Sequence, residues 1–258
     1  METPHILLEM NFLSSELGKN TQVNIILPHQ TDEGKKCKTL WLLHGLKGDH
    51  TSWLRNTNIE RYASKHNLCV IMPNVDRSWY TNTKYGLNYL NYITKELPEV
   101  CRRNFSVMSD RPEDNIIAGL SMGGYGAFKA ALTCPDQYGY CISLSGAVDV
   151  TRKGRPCNLP EWQSIFGFEI ESPLVLHGGR HDLFRLAKEN KEKGVSFPRI
   201  YMWCGEADSL IEVNRSFSAH LTALSVAHRF EQSEGDHIWG FWDKHIESGI
   251  KYAVGETE

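Results

Sequence analysis

NIIAGLSMGGYGAFKAAL, residues 115–132, decides the fold. Its first six residues are an apolar run of strand length, and its last eight have the composition of a buried helix. Between them lies Gly119-Leu120-Ser121-Met122-Gly123, a G-x-S-x-G pattern. At ordinary Gly and Ser usage the pattern arises by chance roughly once in ten chains of this length. Its position between a buried strand and a helix is what gives it meaning, because a nucleophile elbow requires that context. The serine of such an elbow sits on a sharp turn with strained backbone angles, which lifts its hydroxyl clear of the sheet. Neighbouring chain then crowds the positions two before and two after it, so glycine is expected at 119 and 123.

Working outward, apolar runs of strand length alternate with helical patterns on both sides. KTLWLLHG (38–45), LCVIMPNV (68–75), YCISLSG (140–146), RIYMWCG (199–205) and HRFEQSEG (228–235) read as strands. Helical spacing occupies 58–66, 87–104 with Tyr89, Ile93 and Leu97 on one face, 182–194, 210–224 and 238–254. HILLEMNF (5–12) and QVNIILP (22–28), separated by the turn-prone Gly18-Lys19-Asn20, predict an edge hairpin. PLVLHGG (173–179) reads as a further short strand, and 147–170 as a loop or small cap. The alternation predicts an α/β-hydrolase fold, a mostly parallel central sheet with helices on both faces, in one domain spanning 1–258. In such sheets ligands sit beyond the C-terminal strand ends, so the residues just after each strand carry the chemistry.

A serine hydroxyl needs a base. In this fold the base follows the last strand, and His237 in GDHIWGFW has that place. His245 lies on the closing helix and reads as a surface residue; His220 and His228 read as structural. The acid is expected after RIYMWCG, where Asp208 stands; Glu206 is the fallback and Asp182 a more distant rival. The predicted catalytic residues are therefore Ser121, Asp208 and His237. An oxyanion hole needs two backbone donors. Met122 N–H directly follows the nucleophile, and Leu46 N–H lies in the loop after the strand that ends near His44. His44 itself is expected to shape that loop through a hydrogen bond. Trp79 and Trp239 are candidates for lining a substrate pocket. His177, His181 and Asp182 are too loosely spaced, with no fourth ligand, to predict a metal, and no cofactor is expected.

The chain has 258 residues, 41% apolar and 23% charged, with a formal charge of -3. That suits a soluble domain with a sizeable core and gives no reason to expect a nucleic-acid or membrane partner. Seven cysteines, Cys37, Cys69, Cys101, Cys134, Cys141, Cys157 and Cys204, form no C-x-x-C pair. An odd number of thiols, several inside apolar runs, predicts a reducing, cytoplasmic setting. The N-terminal stretch does not read as a signal peptide.

LLHGLKGDHTSW, SWYTNTKYG, AGLSMGGYGAFKAAL, CGEADSL and GDHIWGFWD together resemble the bacterial tributyrin-esterase type within the esterase D and S-formylglutathione hydrolase superfamily. The resemblance spans nearly the whole chain with its motifs in order. Carried onto matching positions, it implies Ser121, Asp208 and His237 as triad and Leu46 and Met122 as oxyanion donors. It implies hydrolysis of short-chain acyl esters on aryl, glyceryl or sugar groups, and suggests a homo-oligomer. Many relatives have glycine or a small residue where this chain has Leu46 and Lys47. A thioesterase, a feruloyl-type esterase, an acyltransferase and a non-catalytic binding protein are the rival readings.

Overall fold

The computed structural model describes residues 5–28, 35–151, 159–167 and 171–256. Eight strands form one sheet: β1 (His5–Ser14), β2 (Lys19–Pro28), β3 (Thr39–Leu43), β4 (Cys69–Pro73), β5 (Asn115–Leu120), β6 (Tyr140–Leu144), β7 (Arg199–Gly205) and β8 (His228–Ser233). Their order is β1-β2-β4-β3-β5-β6-β7-β8. β1 and β2 form an antiparallel hairpin in which Ser14 faces Lys19, and β2 runs antiparallel to β4. Gly18, with φ of 61°, supplies the left-handed residue of that turn. From β4 to β8 every neighbouring pair is parallel.

The helices are α1 (Ser52–Asn56), α2 (Ile59–His66), α3 (Tyr89–Asn91), α4 (Leu97–Asn104), α5 (Met122–Thr133), α6 (Leu159–Phe166), α7 (Leu183–Glu192), α8 (Ile211–Ala223) and α9 (Trp239–Val254). A π-helical stretch, Tyr92–Glu96, joins α3 to α4, so the helical pattern over 87–104 is one nearly continuous element. The central strands are buried on both faces, which explains their unbroken apolar runs. Leu40, Leu42, Ile116, Ala118, Ile142 and Leu144 pack with Ile59 and Tyr62 of α2 and with Trp242, Ile246 and Ile250 of α9. Trp41, Leu43, Ile117 and Cys141 face the other way, toward Tyr92, Leu97, Tyr125, Phe128 and Phe217. Residues 122–132 of α5 are buried all round, which is why that helix shows no polar stripe.

Two sequence expectations fail here. Residues 173–179 are not a strand: Pro173–Leu176 forms a 3₁₀ turn with Leu174 and Val175 largely exposed. Both edges of β6 are already taken, by β5 and β7, and Pro173 lacks an N–H to contribute to a ladder. His245 is not on the surface either. It is buried and stacks on Trp203 with ring centroids 4.0 Å apart. Of the loop or cap expected at 147–170, residues 159–166 form helix α6; residues 152–158 and 168–170 lie outside the described part.

Candidate active site

Ser121 stands between β5 and α5 with φ 53° and ψ −116°. A non-glycine residue in the left-handed half of the map costs roughly 1–3 kcal/mol and persists only where its surroundings dictate it. Here they do. Ser121 N–H donates to Leu144 O at 3.0 Å, and Ser121 O accepts from Ala147 N–H at 2.9 Å, so the turn is tied to β6. A Cβ on Gly119 would lie 2.3 Å from Gly123 O, and one on Gly123 would lie 2.4 Å from Leu43 O. Only glycine permits backbone to approach backbone this closely, so the two glycines of the motif are steric necessities.

The candidate acid and base come from adjacent strand ends. Beyond the β7–β8 ladder, Glu206 N–H donates to Ser233 O and Ala207 N–H to Gly235 O, both at 2.9 Å. The two turns touch so closely that a Cβ on Gly205 would lie 2.3 Å from Gly235. This contact sets Asp208 beside His237. Asp208 Oδ2 is 2.8 Å from His237 Nδ1, and His237 Nε2 is 3.0 Å from Ser121 Oγ. An ionised carboxylate only accepts, so His237 Nδ1 carries the proton, and the lone pair of Nε2 is left for the serine hydroxyl. Asp208 Oδ1 accepts from Leu210 N–H at 2.8 Å. Burial pushes the Asp208 carboxyl pKa up, but hydrogen bonds from His237, Leu210 N–H and Ser145 outweigh it and hold the group below its ordinary value. The other acids are placed otherwise: Glu206 is exposed, and Asp182 accepts from Phe184 and Arg185 N–H as the N-cap of α7.

The loop after β3 is fixed from within. His44 is buried; its Nδ1 lies 2.7 Å from Gly45 O, and its Nε2 accepts from Val75 N–H at 3.1 Å. Both ring nitrogens are thus used by backbone with the ring neutral, and burial lowers its pKa accordingly. Tyr80 O–H donates to His44 O at 2.8 Å. The loop backbone lies against the elbow: a Cβ on Gly45 would be 3.6 Å from Ser121 Cβ. Leu46 follows directly. Met122 is the first residue of α5, so its N–H has no acceptor within the helix.

A cavity of about 480 Å³ opens at Ser121 and His237, walled by Leu46, Leu120, Ile238, Trp239 and Trp242. Trp239 thus lines it, with its ring edge-on to both Trp53 and Trp242. Trp79 does not. It is buried 5.8 Å from Tyr125 and 5.7 Å from Trp162, centroid to centroid, in the layer beneath α6. The sequence had no signal for Ser145 or Trp242. Ser145 follows β6 in a left-handed conformation, φ 47°, and Trp242 Nε1–H donates to its Oγ at 3.1 Å. A serine in SLSG and a tryptophan on an amphipathic helix both read as ordinary packing residues. His177, His181 and Asp182 gather no metal site: among the described residues no cluster of three His, Cys, Asp or Glu side chains could hold an ion.

Residues 14–252 match the Esterase family, described as "Putative esterase". The acetyl esterase of Caldicellulosiruptor saccharolyticus is 31% identical over 263 residues, covering 95% of this chain and 97% of that protein. Two solved Staphylococcus aureus structures are 34% identical. The fluorophosphonate-binding serine hydrolase F, substrate bound, superposes with a TM-score of 0.87 over 97% of this chain and 99% of its own. An S-formylglutathione hydrolase does so with a TM-score of 0.88 over 98% and 100%. With its fold, its elbow and its full-length relatives in agreement, the chain belongs to the esterase family, within the esterase D and S-formylglutathione hydrolase superfamily.

Proposed function

We propose that this protein is a serine carboxylesterase that cleaves short-chain acyl esters through an acyl-enzyme on Ser121. The observation that carries the reading is the relay itself: Ser121 Oγ within 3.0 Å of His237 Nε2, and His237 Nδ1 within 2.8 Å of Asp208. His237 takes the hydroxyl proton as Ser121 attacks the ester carbonyl, and Asp208 holds the imidazole in the tautomer this needs. The oxyanion is received by Leu46 and Met122 N–H, each donor worth roughly 3 kcal/mol in enzymes of this type. His237 then protonates the leaving alcohol, and a water activated by the same imidazole releases the acid.

A cavity of about 480 Å³, lined by apolar side chains together with the polar Lys47, Ser52, Arg55 and Asn56, suits a small ester. Acetyl and butyryl esters of aryl, glyceryl or sugar alcohols are the proposed substrates. Likeness to an S-formylglutathione hydrolase makes a thioester the natural competitor. The free thiols of Cys37, Cys69, Cys101, Cys141 and Cys204 are buried as small apolar side chains, in keeping with a reducing cytoplasmic setting. No helix among the described residues is long and apolar enough to cross a membrane.

The test is a panel of aryl esters from acetyl to octanoyl, with one matched thioester, run on wild type and Ser121→Ala. Activity should peak at acyl chains of a few carbons, favour the oxygen ester, and fall by about 10⁴-fold or more in the variant. A peak at octanoyl refutes the short-chain assignment, and an unchanged Ser121→Ala rate refutes the nucleophile.

A further inference from the structure

A row of hydrogen bonds reaches the first backbone donor of α5 from behind. Met122 N–H belongs to the peptide group whose carbonyl oxygen is Ser121 O. Ser121 O accepts from Ala147 N–H at 2.9 Å. That N–H shares its peptide group with Gly146 O, and Gly146 O accepts from Asn214 Nδ2 at 2.9 Å. The 146–147 and 121–122 peptide groups therefore stand head to tail between the Asn214 amide and Met122 N–H. A carbonyl that accepts a hydrogen bond polarises the N–H of its own peptide group, so bonds in such a row strengthen one another.

Asn214 is fully buried on α8. Its Nδ2 also donates to Leu210 O at 2.8 Å. Only the NH2 side of an amide can face two carbonyl oxygens, so these partners fix which way the side chain points. Leu210 is also the residue whose N–H holds Asp208 Oδ1 at 2.8 Å. Asn214 thus ties the turn that carries the acid to the turn that supports the nucleophile. The arrangement has a cost. Asn214 Oδ1 is buried with no hydrogen-bond partner among the described residues, and an unpaired buried acceptor is destabilising. A leucine of similar volume would fill the site without that acceptor, so packing alone does not account for an asparagine here. The supporting peptide is pressed against the start of α5: a Cβ on Gly124 would lie 2.8 Å from Gly146 Cα.

We infer that Asn214 is a positioning residue for the oxyanion hole: through the 146–147 and 121–122 peptide groups it aims and polarises Met122 N–H. The inference rests on Ser121 and Met122 acting as proposed above. An oxyanion donor meets its full charge only in the tetrahedral intermediate. Removing the Asn214 amide therefore slows turnover, while ground-state binding in the cavity, which Asn214 does not line, stays as it was.

Asn214→Leu and Asn214→Ala test this on the full chain with an aryl butyrate. Leucine keeps most of the volume and alanine gives it up; neither can donate. Competent sites are first counted by complete reaction with a fluorophosphonate, so that a variant folding only in part still reports a true kcat. Both variants should lose about tenfold in kcat per titrated site, with KM within about twofold. The second readout is inhibition by an aryl trifluoromethyl ketone. Ser121 Oγ bonds to its carbonyl carbon, the hydroxyl proton passes to His237, and the carbonyl oxygen becomes an oxyanion facing the same donors. This inhibitor should bind about tenfold more weakly in both variants. A wild-type kcat per titrated site, or a kcat loss with the ketone's affinity intact, overturns the inference and leaves Asn214 a residue of the fold only. The Ser121→Ala control separates the two ideas: hydrolysis retained there refutes the nucleophile itself, whatever Asn214 does.

Discussion

Two histidines are joined by hydrogen bonds to the same helix, one at its N-terminal end and one farther along, and their surroundings are opposite. At the N-terminal end of α5, His237 bonds Ser121 on one side and a buried carboxylate on the other, with its side chain about one-third exposed. Farther along α5, His181 Nδ1 lies 3.1 Å from Lys129 Nζ, and Arg180 Nε–H donates to His181 Nε2 at 3.1 Å. A guanidinium cannot accept, so His181 Nε2 must be the bare nitrogen and Nδ1 must carry the proton. That proton can only go to Lys129 Nζ, which must then have a free lone pair. Lys129 is thus held as a neutral amine, donating in turn to Thr81 Oγ1, whose hydroxyl donates to Trp79 O at 2.9 Å. Burial drives the Lys129 amine far below its usual pKa and pushes His181 down to about 2, with the Arg180 guanidinium acting in the same direction on both. An imidazole becomes a base when an anion takes its far proton and a substrate can reach its near nitrogen. Surrounded by donors in a dry interior, the same ring is a strut.

This contrast can be broken most sharply by exchanging partners. Asp208→Asn presents an amide to His237 and destabilises both its tautomer and its imidazolium; kcat should drop by about 10⁴-fold with KM little changed. His181→Gln should leave kcat/KM within about threefold of wild type. Comparable losses in the two variants would erase the distinction.

The next effect is on stability against pH. A lysine whose folded pKa is depressed binds its proton in the unfolded chain first. Stability from this source is therefore complete above the ordinary lysine range near 10.4 and is lost as pH falls toward the folded value. While the folded amine stays uncharged, the slope is about 1.4 kcal/mol per pH unit. Urea midpoints from pH 7.5 to 9.5 should rise in wild type and flatten in Lys129→Met. A slope that persists in the variant would show that Lys129 is charged in the folded protein.

The smallest effect sharpens the boundary between the two regions. Tyr125 lies one turn from Ser121, yet its hydroxyl donates to His181 O at 2.9 Å, inside the strut. Tyr125→Phe should cost about 1 kcal/mol of stability, measured by denaturant unfolding, with kcat unchanged. A fall in kcat would join the two networks into one.

Much of this was readable in the chain. The elbow is local: strand, G-x-S-x-G and helix are contiguous, and both glycines follow from crowding within that segment and against β3. Asp208 and His237 were placed by their positions after successive strands, since parallel sheets gather post-strand residues at one end. His44 as a loop-shaping residue followed similarly. The failures share a cause. Residues 173–179 have a strand's composition, but a strand exists only where a neighbour's edge is open, and β6 has none. Trp79 and Trp239 look alike as post-strand aromatics; α6 and Tyr125 enclose one and leave the other at the cavity.

Alone, then, the sequence determined the order of the eight strands, the elbow and the kinds of groups available for chemistry. Those depend on periodicity and steric limits within a few residues. The tertiary structure decided which imidazole met a carboxylate and which lysine lost its proton. Each of those depends on sheet register and burial, which join side chains 29 to 116 positions apart, and no local pattern encodes such a meeting.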